Sequence, residues 1–121
     1  MLIYCWNVRG LNNPLKQHEV VSLMKKLKID VCGLLETKLS LPRLVNFYNF
    51  RLKQWKYISN ANVSNVARVV VLWNPNTVHV ELIDVSAQGI HVHICCLANH
   101  YRFATTFVYR YNTITVRRLL W

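Results

Sequence analysis

A chain of 121 residues has room for one domain, and a hydrophobic fraction of 53% with a mean hydropathy of +0.15 excludes a disordered polyelectrolyte. Lys and Arg number 15 against 5 Asp and Glu, a formal net charge of +10, so the expected partner is a polyanion, nucleic acid before an anionic membrane surface. No stretch approaches the ~20 apolar residues of a bilayer-crossing helix, and the opening Met-Leu-Ile-Tyr-Cys-Trp-Asn lacks the basic and apolar regions of a secretory signal.

Leu2 to Val8 is a short apolar run that leaves into Arg9-Gly10-Leu11-Asn12-Asn13-Pro14, a strand followed by a turn, with Pro14 suited to a first helical position. Val20, Leu23, Met24 and Leu27 then recur at i, i+3, i+4 and i+7, which predicts an amphipathic helix with a cationic last turn. Asp30 to Glu36 is too short and apolar for a surface helix and reads as a buried strand. Two such strands joined by a helix make a βαβ unit with parallel pairing. A second helix is expected after Ser40, with Leu41, Leu44, Val45, Tyr48 and Leu52 on its apolar face.

From Trp55 the period changes. Runs at 55–60, 68–73, 78–85, 90–97 and 103–110 are separated by turn chemistry such as Asn74-Pro75-Asn76 and Gln88-Gly89, the spacing of an antiparallel meander. The fold class expected is therefore α/β (α+β): a βαβ start followed by a mostly antiparallel sheet. The tail from Thr113 reads as the start of a further helix.

The carboxylates are Glu19, Asp30, Glu36, Glu81 and Asp84, and none follows Val85, whereas Arg102, Arg110, Arg117 and Arg118 do. An acid-free stretch of that length either faces a polyanion or awaits an acidic complement, since surfaces usually mix both signs. Cys5, Cys32, Cys95 and Cys96 show no Cys-x-x-Cys spacing and fall within apolar runs, the pattern of small buried hydrophobes in a reducing compartment. His91, His93 and Cys95 alternate with Val92, Ile94 and Cys96. They form one face of a half-buried strand, and lacking a fourth ligand they read as ordinary strand positions before a zinc site. The tryptophans, Trp6, Trp55, Trp73 and Trp121, sit in apolar runs and read as core before base-stacking platforms.

Asn7 and Glu36 close neighbouring parallel strands, at the carboxyl ends where α/β sheets gather their ligand sites. Oxygen ligands placed there suit a hard cation such as Mg²⁺. From spacing alone the plainer reading, Asn7 opening a turn and Glu36 solvating a strand end, is the stronger. Residue identities shift that balance. Trp6-Asn7-Val8-Arg9-Gly10-Leu11-Asn12, then Leu34-Leu35-Glu36-Thr37-Lys38-Leu39, Val71-Leu72-Trp73-Asn74-Pro75, Phe107-Val108-Tyr109-Arg110-Tyr111-Asn112 and Arg117-Arg118-Leu119-Leu120-Trp121 follow one another along the whole chain. In that order they resemble the endonuclease/exonuclease/phosphatase superfamily, and most closely the N-terminal half of the endonuclease domain of plant LINE-type (non-LTR) retrotransposons.

The resemblance implies half of a four-layer α/β sandwich and a Mg²⁺-dependent phosphodiester hydrolysis that nicks DNA in the nucleus. It implies Glu36 as the metal ligand, Asn7 beside metal and phosphate, Tyr109 with its hydroxyl by the phosphate, and Asn112 as a nearby polar residue. Arg9, Lys38 and Arg110 are the cations expected to meet nucleic acid, Lys38 as a point charge two residues beyond Glu36. Arg110 replaces a usual Gly, and Ala67 precedes the Arg68 strand where related sequences tend to carry Gly. No Asp-x-Asn follows Tyr109 and no Ser-Asp-His closes the chain, so the general base has no carboxylate to supply it. The expectation is a remnant, inactive as given, that binds Mg²⁺ weakly or not at all and self-associates through an uncovered sheet face. The alternatives are a basic module that holds nucleic acid without cutting it, and a nuclease that borrows acids from a partner chain.

Overall fold

The computed structural model describes residues 1–109. Arg110, Asn112 and the helix expected from Thr113 lie outside the described residues. Seven strands and two helices follow in the order β1 (Ile3–Asn7), α1 (Pro14–Lys26), β2 (Val31–Leu39), α2 (Leu41–Arg51), β3 (Lys56–Ser59), β4 (Ala67–Trp73), β5 (Val78–Val85), β6 (Gly89–Cys96) and β7 (Arg102–Val108).

β1 and β2 pair in parallel, from Ile3 opposite Val31 to Asn7 opposite Leu35, and α1 supplies the crossover. α1 starts because Asn13 caps it, its side chain accepting from Leu15 N at 2.8 Å, and because Pro14 tolerates the first turn. Its buried stripe is Val20, Val21 and Met24, while Leu23 is exposed. The expected stripe thus keeps Val20 and Met24 and takes Val21 in place of Leu23, with Leu27 and Ile29 after the helix packed on the same core. α2 differs in the same way: Leu44 and Phe47 face the core, with Leu41 and Val45 outside.

The run of strands from Lys56 does not form one meander. β4 inserts beside β2 and pairs antiparallel with both β2 and β3, giving a sheet in the order β1-β2-β4-β3. A turn at Asn74, whose Oδ1 accepts from Asn76 N at 2.9 Å, then sends the chain into a second antiparallel sheet, β5-β6-β7. Helices, first sheet and second sheet form three layers with two cores. One core joins Val20, Met24, Leu34, Leu44, Phe47 and Leu72 on the helix side. The other joins Val31, Val69 and Val71 to Val80, Ile90, Val92, Ile94 and Phe107 between the sheets.

This arrangement confirms the α/β class and corrects one expectation. The inner face of the first sheet is covered, because β5–β7 fold back onto it: the Phe107 ring lies so close to Gly33 that a Cβ there would overlap it. The face expected to lie bare, the inner face of the first sheet, is therefore covered, and among the described residues the open sheet face is the outer side of β5 and β6.

Candidate active site at the carboxyl end of the first sheet

The parallel register brings Asn7 level with Leu35 and so places it beside Glu36. Past this point the chain from Val8 to Leu11 stays laced to the end of β2. Val8 N donates to Leu35 O, Gly10 N to Glu36 O and Leu11 N to Thr37 O, each at 2.9 Å. The lacing holds an unusual backbone. Glu36 and Lys38 have φ of 57° and 54°, Arg9 has φ of 28°, and Gly10 supplies 75°. A left-handed non-glycine residue costs roughly 1–2 kcal/mol, and such residues cluster where the surrounding structure fixes them for use. The register of β2 against β4 breaks between Leu35 and Leu39. That bulge lets Glu36 and Lys38 depart from strand geometry while Thr37 and Leu39 stay buried.

Thr37 anchors the bulge from within. It is fully buried, and its hydroxyl donates to the Ala67 carbonyl. Ala67 is itself buried and has no positive φ, so the position fits alanine without strain. Glu36 is mostly shielded, its side chain 15% exposed, and its Oε2 lies 3.4 Å from Arg9 Nε, on a side chain 81% exposed. Lys38 is exposed on the same bulge. Lys16 Nζ donates to Arg9 O at 3.4 Å. One carboxylate is thus paired with Arg9, with Lys38 and Lys16 on the neighbouring chain.

The start of β4 also contributes at this end. Val69 pairs with Leu35 and Ala67 with Leu39, so Arg68 lies opposite the bulge of Glu36 to Lys38. The Arg68 guanidinium carbon sits 5.2 Å from the centre of the Tyr109 ring. Tyr109 is buried, and its N donates to Gln88 O at 2.6 Å. Beneath these lies Asn60, fully buried. Its Nδ2 donates to the carbonyls of Ser86 at 3.1 Å and Ala87 at 3.0 Å, and its Oδ1 accepts from Arg68 N at 2.9 Å and Val69 N at 3.0 Å. Asn60 thus fastens the β5–β6 turn to the start of β4, while Ser64 Oγ accepts from Arg68 Nε at 3.0 Å and orients the guanidinium that lies over Tyr109.

Of the residues expected from sequence, Asn7, Arg9, Glu36 and Lys38 meet at one sheet end. Tyr109 is tied to that end through Arg68, while Arg110 and Asn112 are outside the described residues. Arg68 and Asn60 were missed. An Asn just after an apolar strand carries no signal of the four bonds it makes, and Arg68 gains its place only from a pairing between distant strands.

The profile of the Endonuclease/Exonuclease/phosphatase family matches residues 5–121. The chain belongs to that family. A solved structure, the AP endonuclease LMAP from Leishmania major, superposes with a TM-score of 0.65 at 18% identity, over 96% of this chain and 42% of that one. At that identity the likeness speaks to the fold, and this chain spans less than half the length of the Leishmania structure.

Enzymes of this family generally depend on a divalent metal. The donors here fit such an ion only in part. Among the described residues no three of His, Cys, Asp and Glu converge as a metal cluster, and Asp30 lies at the far end of β1, accepting from Leu2 N at 2.8 Å. Mg²⁺ commonly takes one or two carboxylates, several waters and a substrate phosphate. Glu36 fits an ion delivered with a phosphate, not one the protein holds alone.

The remaining expectations divide. His91, His93 and Cys95 alternate with buried Val92 and Ile94 as a strand face. Of the cysteines only Cys32 is buried; burial, and secondarily Cys5 beside it, pushes its thiol far above the ordinary range. Trp73 is core, whereas Trp6 and Trp55 are half-buried. No helix among the described residues is long and apolar enough to cross a membrane.

Proposed function

We propose that this chain carries the first half of a DNA-nicking, phosphodiester-hydrolysing site of the kind found in plant LINE-type retrotransposon endonucleases, acting on chromosomal DNA in the nucleus, and that these 121 residues alone hold DNA without cutting it. The observation that carries the reading is Glu36, held in a left-handed conformation beside Asn7 and paired with Arg9, with Lys38 on the same bulge and Lys16 bonded to the Arg9 carbonyl. Cations so placed attract a phosphodiester, and Asn7 can donate its amide to a phosphate oxygen. In this reading Tyr109, in contact with Arg68, lends its hydroxyl to the same group, and Arg110 and Asn112 add polar contacts to it. Mg²⁺, ligated by Glu36, would stabilise charge on the phosphate oxygens. Hydrolysis also needs a base to activate water. Glu36 is the sole carboxylate at this end among the described residues, and it is already paired with Arg9.

That pairing also favours the second reading, a basic module that never cuts, because a neutralised Glu36 leaves the surrounding cations free for phosphate. The two separate in one experiment. Supercoiled plasmid is incubated with the protein and Mg²⁺, beside a Glu36→Ala variant, and binding is followed against salt. The expected result is retardation that weakens steeply with salt, without nicking, and with a Mg²⁺ response that disappears in Glu36→Ala. Nicking abolished by Glu36→Ala would show that these residues complete a site. Retardation indifferent to Mg²⁺ in both proteins would leave the binding module as the account.

A further inference from the structure

Between the start of α1 and the length of α2 runs a groove of about 760 Å³. Its charged lining is Arg43, Arg51 and Lys53, and no carboxylate lines it among the described residues. α2 carries no acid in its first turn. Two features of the groove are out of keeping with an ordinary helix surface. Phe50 stands 82% exposed on α2, and Arg51 keeps a buried Nε with no hydrogen-bond partner. A large bare ring and an unsatisfied guanidinium nitrogen each carry a cost that a ligand would remove. They lie together, with the Arg51 guanidinium carbon 5.4 Å from the centre of the Phe50 ring.

The groove opens beside the candidate site. Arg43 Nη1 donates to Asn12 Oδ1 at 3.0 Å, and Asn12 belongs to the loop that presents Arg9 to Glu36. From Arg43 to Arg51 along α2 is roughly 12 Å at 1.5 Å per residue, room for a short stretch of strand. A ring that stacks any base, cations for the backbone and amides from Asn46 and Asn49 for base edges make up a surface suited to unpaired nucleotides. A duplex, its bases stacked inside, offers Phe50 nothing to stack on.

We propose that this groove is a single-stranded nucleic-acid subsite: an unpaired base stacks on Phe50 while the adjoining phosphates take Arg51, Arg43 and Lys53. It rests on the nucleic-acid reading above and extends it from the phosphodiester to the strand beside it. The subsite would hold the unpaired side of a junction whose paired side meets Arg9 and Lys38.

Fluorescence anisotropy of the whole chain with a short labelled single strand and with a blunt duplex of the same sequence tests this. Phe50→Ala is expected to weaken single-strand binding by roughly tenfold and duplex binding by no more than about twofold. Phe50→Trp restores the single strand. Arg51→Gln lowers the single-strand salt slope by about 0.7, the share of one phosphate contact. Phe50 is exposed, so Phe50→Ala should melt as the parent does. Equal binding by Phe50→Ala and the parent, or an equal loss for both nucleic acids, overturns the subsite. The two readings also fail separately. Duplex binding without single-strand binding removes the groove and leaves the site at Glu36. Phe50-dependent single-strand binding by a chain that ignores duplex removes the DNA-nicking reading and leaves the groove.

Discussion

Among the described residues β2 and β4 lie in a sheet covered on both faces, whereas β5 and β6 lie in a sheet packed on one. In the first sheet Val31, Cys32, Gly33 and Leu34 are all buried, as are Val69 through Trp73, and the sequence there is apolar without a period. In the second, Ile90, Val92 and Ile94 alternate with half-buried His91, His93 and Cys95. The comparison teaches where function can be afforded. Doubly covered strands fix Asn7 and Glu36 to within a register, while on the open face of β6 His91 is held to Thr106 by one hydrogen bond of 2.6 Å.

The largest test of this contrast is steric. Gly33→Val drives a side chain into the Phe107 ring between the sheets and is expected to cost about 3 kcal/mol or more in chemical denaturation. His93→Ala on the open face should change stability by less than about 0.5 kcal/mol. Equal losses would dissolve the distinction. Next comes Asn60→Ala, which strips two carbonyls and two buried amides of their partner. A loss of about 2 kcal/mol is expected in chemical denaturation.

Cys32 sharpens the same contrast through pH. Its folded pKa is raised, so the folded state holds the proton that the unfolded state gives up. The stability it allows is complete below the ordinary thiol range and falls as pH rises through it, by roughly 1 kcal/mol per unit. Cys32→Ala should flatten that alkaline slope in urea melts, and an unchanged slope would show that water reaches the thiol. The smallest effect has the opposite sign. Glu36→Gly removes a left-handed side chain and is expected to stabilise the fold by about 1 kcal/mol; destabilisation would mean that the Arg9 pair outweighs the strain.

The βαβ start was legible because Pro14, the helix period and two short apolar runs all point to it. So was the meeting of Asn7 with Glu36, since parallel pairing leaves strand ends side by side. The split into two sheets was not. Runs 68–73 and 78–85 both read as strands, and it is at the turn of Asn74 that the chain leaves the first sheet for β5. Nor could sequence reveal that Arg9 would pair with Glu36, or that Asn60 would tie the β5–β6 turn to the start of β4. These depend on contacts between residues far apart in the chain. Phe50 was equally silent, because an aromatic within a helical segment is ordinarily core.

The central claim is that the carboxyl end of the first sheet receives a divalent ion together with a phosphate, and the most direct measurement is paramagnetic. Mn²⁺, standing in for Mg²⁺, is added to the labelled protein with and without a short DNA duplex while amide signals are recorded. The account predicts broadening at Asn7, Glu36 and Lys38 when DNA is present and little without it. Selective broadening at His91 and His93, or none near Glu36 with DNA bound, would contradict it.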